Sequence, residues 1–98
     1  MKKIFSLQAP GKDDPRVRDK IRQEINKYVR RERKKTLPEG FDLWNLNCRV
    51  GTSAEAAETL PLKEVGSAID QVALAGATEV YIEIIAIAGH RTFTRPLG

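Results

Sequence analysis

The sequence predicts a single α+β domain: a two-layer sandwich in β-α-β-α-β order, with a three-stranded sheet and two helices on one of its faces. Three observations carry this. Three segments alternate apolar and polar residues with the period of a strand. Two segments between them place apolar residues at three- and four-residue steps, as one-sided helices do. Each helix has one apolar stripe, so together they cover one face of the sheet and leave the other open.

Residues 2–9 (KKIFSLQA) form the first strand, with Phe5, Leu7 and Ala9 on one side and Ile4, Ser6 and Gln8 on the other. Pro10-Gly11 ends it. Asp13-Asp14-Pro15 opens a helix, with Asp14 as N-cap and Pro15 at the first helical position. That helix runs to about Lys34 on the stripe Val17, Ile21, Ile25, Tyr28 and Val29. Leu37-Pro38-Glu39-Gly40 is a turn. The second strand spans about Asp42 to Val50 and ends at Gly51; Trp44, Leu46, Cys48 and Val50 face the core, against Leu43, Asn45, Asn47 and Arg49. Residues 52–58 (TSAEAAE) form a loop or one weak helical turn. Thr59 caps the second helix, whose stripe is Leu62, Val65, Ile69, Val72 and Ala73 and whose end is Gly76. The third strand, about Thr78 to Ala88, is apolar on both faces, which suits a central position. After Gly89-His90-Arg91, residues 92–98 fray or pair as a fourth strand.

At 98 residues the chain fits one domain, residues 1–98, and its 41% hydrophobic content suffices for one modest core. No run approaches the ~18 apolar residues of a membrane span, and the start turns polar by Ser6, unlike a signal peptide. The single cysteine, Cys48, has no partner for an internal disulfide. A cytoplasmic protein that does not engage membranes is the simplest expectation.

Charge is distributed unevenly. Residues 16–35 hold ten Lys/Arg against three Asp/Glu, a net of +7, whereas residues 36–98 hold four against eight. The chain is a dipole whose positive field sits on the first helix. Lys27, Arg30, Arg31, Arg33, Lys34 and Lys35 crowd its end, with Glu32 among them. Cations this dense neutralise phosphates and release counterions, giving salt-dependent, sequence-independent affinity. They point to RNA or a ribonucleoprotein as partner, with Arg49 and Arg91 extending the surface if the fold brings them to the same side. The competing explanation is a solvated helix face, with some of these cations complementing the helix dipole.

The open sheet face offers a second candidate. Alternation puts Ile4, Ser6, Gln8, Asn45, Asn47, Arg49, Tyr81, Glu83, Ile85 and Ile87 there, and Ile4, Asn45, Asn47, Tyr81, Ile85 and Ile87 suit a protein partner or a second copy of the chain. No catalytic residue, metal or cofactor is predicted. One histidine and one cysteine fall short of a Cys/His zinc site. Cys48 shares the buried parity of Trp44 and Val50, where a thiol is inert. His90 follows the last strand without a partner that the sequence names.

The motifs MKK-x-F-x-L-x-APGK, KYVRRERKK-x-LPEGFDLWNLNCRVG and VYIEIIA-x-x-GHR resemble those of a family of short bacterial proteins of unknown function. The likeness covers nearly the whole chain and is most specific from Arg31 to Gly51. It implies a stand-alone bacterial domain and supplies no activity, substrate or catalytic residue. The element order is also similar to that of small ribosome-associated translation factor domains, a likeness of topology alone.

Overall fold

Alternation sends Phe5 of strand β1 (Lys2–Ser6) inward, and Leu7 follows it into the core. In this computed structural model, which describes residues 1–9, 12–13 and 15–90, the Leu7 N–H donates to the Thr78 carbonyl at 2.9 Å. That bond extends the pairing of Ser6 with Glu79 by one step; beyond it the chain leaves the main sheet, and the predicted 2–9 strand is divided. Its last two residues, β2 (Gln8–Ala9), pair instead with β3 (Lys12–Asp13). The predicted Pro10-Gly11 turn and Asp14 cap lie outside the described residues.

Helix α1 (Pro15–Arg33) buries Ile21, Ile25 and Val29, as its periodicity requires, with Val17 and Tyr28 at the margin. At ~1.5 Å per residue it is about 28 Å long. The turn that follows is closed by the Phe41 N–H donating to the Pro38 carbonyl at 3.1 Å. Strand β4 (Leu43–Gly51) then crosses the molecule, and β5 (Glu58–Leu60) returns beside it. A 3-10 turn (Leu62–Glu64) leads into α2 (Val65–Leu74), which buries Val65, Ile69 and Ala73. Gly76, at φ +91°, ends this helix. Its N–H donates to the Ala73 carbonyl at 3.1 Å and the Ala77 N–H to the Val72 carbonyl at 3.3 Å. That pair of bonds needs a left-handed residue at position 76, which glycine adopts without strain. Strand β6 (Glu79–Gly89) completes the fold.

The main sheet has the order β1-β6-β4-β5, with every neighbouring pair antiparallel. The two-sided apolar strand β6 is central, as expected. The fourth strand among the described residues is β5; the C-terminal tail, residues 91–98, lies outside them. Thr59, expected as a helix cap, stands opposite Arg49 within β5. Cys48 and Val50 pair with Leu60 and Glu58, so the returning chain satisfies strand-edge groups that a single capping hydroxyl could not reach.

Both helices pack on the face that carries Phe5, Cys48, Val50, Val80, Ile82 and Ile84, forming one core. Asp70 on α2 ties the helices together: its Oδ1 accepts from Arg18 Nη1 at 3.1 Å and its Oδ2 from Arg22 Nη2. Arg22 Nη2 also donates to the Gly66 carbonyl at 3.2 Å. The Trp44 indole N–H donates to the Lys35 carbonyl at 2.9 Å, fixing the chain just past α1 onto β4.

Candidate functional site

The cations of α1 divide into two groups according to what they touch. Arg18 and Arg22 in the first half are engaged by Asp70, and Arg22 also by Asp19 at 3.3 Å. In the second half, Lys27, Arg30 and Arg33 are exposed and have no ion pair among the described residues, nor has Lys34 in the turn beyond. Arg31 is exposed too, its guanidinium over the Tyr28 ring at 5.8 Å from the centroid. Lys35 is different: its ammonium pairs with Glu32, the buried carboxylate of the helix. The Lys35 hydrogen bond, followed by one from Tyr28, holds the Glu32 carboxyl below the usual carboxylate range. Tyr28 is itself pushed above the ordinary phenol range by burial and by Glu32.

Position on the helix orders the unpaired cations further. Lys27, Arg30 and Lys34 follow one another at steps of three and four, about 180° around from the buried Ile21, Ile25 and Val29. Arg31 and Arg33 leave from the two flanks. The outward ridge reaches back to Lys20, which lies outside the densest run of charge. Its signal was in the sequence as the same helical period, since Lys20 and Lys27 stand two turns apart.

A family model covers this whole arrangement: that of the family of unknown function DUF6172 matches residues 1–95. The chain belongs to DUF6172. The resemblance read in its motifs agrees. No curated protein and no solved structure matches the chain.

The remaining predicted positions of this DUF6172 domain separate from the ridge. Arg49 lies on the sheet face away from the helices, in register with Glu83. Its guanidinium donates to the carbonyls of Ala54 at 3.1 Å and Ala57 at 3.0 Å, and stands 3.6 Å from Glu83. Arg49 therefore pins the loop after Gly51 and does not extend the basic helix end. Arg91 lies outside the described residues.

Tyr81, expected on an exposed interaction face, is only 7% exposed and donates its hydroxyl proton to Glu83 at 2.8 Å. That hydrogen bond, then burial, raises its pKa above the ordinary phenol range. The loop after Gly51 closes on this end of the face so tightly that a Cβ at Gly51 would stand 2.6 Å from the Ala57 Cα. Ile4, Asn45, Asn47, Ile85 and Ile87 do remain exposed. Asn45 lies over Gly89, where a Cβ would stand 2.2 Å from its Nδ2.

Cys48 is buried as expected, and burial pushes its thiol pKa up, away from nucleophilic chemistry. His90 stacks on Phe41 with ring centroids 5.0 Å apart, and its Nδ1 is 3.9 Å from Asp42. Among the described residues no group of three or more His, Cys, Asp or Glu is placed to hold a metal ion, and no helix is long and apolar enough to cross a membrane. A groove of about 600 Å³ between β5 and α2 has Val50, Leu60 and Val72 in its lining, with the carboxylates Glu58 and Glu64 and no cation. The domain thus carries opposite charge on two surfaces.

Proposed function

We propose that the chain is a non-catalytic binding module that contacts RNA or a ribonucleoprotein through the C-terminal half of α1, with Lys27, Arg30, Arg31 and Lys34 holding phosphate and Arg33 beside them. One observation carries this reading. The cations nearest α2 are engaged by Asp70, while Lys27, Arg30, Arg31 and Arg33 at the other end of the same helix stand exposed without carboxylate partners among the described residues. Unpaired cations on consecutive turns keep their full field for a polyanion. The acidic groove on β5 and α2 orients the approach by repelling the same ligand.

Charge reversal tests it. The triple variant Arg30→Glu, Arg31→Glu, Lys34→Glu is expected to lose at least about tenfold in affinity for a structured RNA hairpin and most of its salt dependence. Binding and salt slope unchanged from the parent chain would overturn the reading. Amide chemical shifts on titration with the hairpin are expected to move along 27–34.

A second reading rests on the other face. Ile85 and Ile87 are exposed on a stretch of β6 (84–89) without a charged side chain, beside exposed Asn45 and Asn47, and Ile4 is exposed on β1. A second copy of the chain suits such a strip, because an isologous contact needs a surface that tolerates itself. A concentration-dependent dimer in sedimentation, abolished by Ile85→Lys, would favour it; a monomer at all concentrations would remove it.

A further inference from the structure

Resting on the phosphate-binding reading, we infer that the ligand is double-helical and that it lies along most of α1, from Lys20 to Lys34, rather than at the helix end alone. The outward face of the helix presents Lys20, Gln23, Lys27 and Arg30 at steps of three, four and three residues, and Lys34 follows four residues on in the turn past Arg33, all exposed. At ~1.5 Å per residue Lys20 to Arg30 span about 15 Å on one straight helix, and Lys34 continues the row just past its end. No carboxylate interrupts them. The three acids of α1 are each turned to a cation elsewhere: Asp19 to Arg22, Glu24 to Lys3 at 3.2 Å, and Glu32 to Lys35.

The same face lacks what a single strand needs. Proteins that hold single strands gain much of their affinity from aromatic rings on which bases stack. Among the described residues no ring stands on this ridge. The Tyr28 hydroxyl is held by the Met1 amine at 3.0 Å, and its ring lies under Arg31. Trp44 uses its N–H on the Lys35 carbonyl, and Phe41 and His90 stack on one another off the helix. A single strand would pay to be ordered along the ridge with no stacking in return. A duplex is already ordered, and it offers one negative charge per ~1.7 Å of axis against ~3.4 Å for one strand. A rigid row of cations matches a rigid lattice of phosphates. The charged members of the ridge are mostly lysines, whose compact point charges suit phosphate oxygens, so sequence preference is slight.

The test compares binding across ligands. Fluorescence anisotropy would use an RNA duplex of about 20 pairs, the DNA duplex of the same sequence and the single RNA strand, each over a salt series. The duplexes are expected to bind at least tenfold more tightly than the single strand, with log K falling against log salt at a slope of about −4.5, from Lys20, Lys27, Arg30, Arg31 and Lys34 at about −0.9 each. Lys20→Gln is expected to reduce that slope by about one, while Lys63→Gln, an exposed lysine off the ridge, leaves it unchanged. A single strand bound as tightly as a duplex overturns the inference and leaves the basic-helix reading standing. An unchanged slope in Lys20→Gln overturns the extension to the first half of the helix. No binding to any of the three ligands removes both. DNA bound more tightly than RNA keeps the double helix and overturns RNA as the partner.

Discussion

Replacing Asp70 by alanine tests the division of the α1 cations into structural and free ones. Its carboxylate takes one guanidinium on each oxygen, Arg18 at 3.1 Å and Arg22 more closely still, and so joins α2 to α1. The side chains are 18% exposed for Arg18, 35% for Arg22 and 36% for Asp70. That setting lies between an exposed pair, worth about 0.2–1 kcal/mol, and a buried one, whose breaking costs about 3–5 kcal/mol. Two contacts at partial exposure put the expected loss at about 1–2 kcal/mol. In a domain of this size that lowers the melting temperature by about 5–15 °C. Urea denaturation is expected to show a lower midpoint at unchanged slope, and a cycle with Arg18→Gln would isolate one of the two contacts. The salt slope of nucleic-acid binding should not move, because Arg18 and Arg22 face α2 rather than the outward ridge. A stability change below about 0.3 kcal/mol would refute the clamp, and a steeper salt slope would show that the released arginines join the ridge.

Three further outcomes are expected. Gly51→Ala should cost about 1–3 kcal/mol in urea denaturation, since its Cβ meets backbone atoms of Ala57 at 2.6 and 2.8 Å, which cannot rotate away; an unchanged midpoint would mean that the loop is not held there. Glu32 titrates below the ordinary carboxylate range when folded, so its stabilising effect is complete above that range and is lost as pH falls through its folded value. Glu32→Gln is therefore expected to flatten the acid limb of a stability-pH profile, and an identical limb would contradict the Lys35 and Tyr28 contacts. Cys48 should react with a thiol reagent only at the rate of unfolding, whereas fast labelling of the native protein would contradict its burial.

The alternation of apolar residues disclosed the faces of β1, β4 and β6, and the helical stripes disclosed what α1 and α2 bury, because those patterns are local. β5 was hidden because Glu58-Thr59-Leu60 is too short to show a period, and its pairing with Cys48 and Val50 depends on the return of the chain. Alternation assigns Tyr81 to the correct face but carries no sign that it is covered. What covers that end is the loop held by Arg49, through carbonyls of Ala54 and Ala57 that no side-chain pattern announces. The basic segment was legible as density of charge. Which of its members are free was not, since the neutralising Asp70 lies 52 residues from Arg18.

Trp44 gives the molecule a built-in optical reporter. It is the chain's single tryptophan, and its indole N–H is bonded to the Lys35 carbonyl at the root of the cation ridge. Emission from this one fluorophore reports the local polarity where α1 hands over to β4. Fraying of that end would free the indole for water and shift the spectrum to the red, whereas a ligand clamping it would leave the wavelength fixed and slow collisional quenching. Occupancy of the ridge can thus be followed on the unlabelled chain.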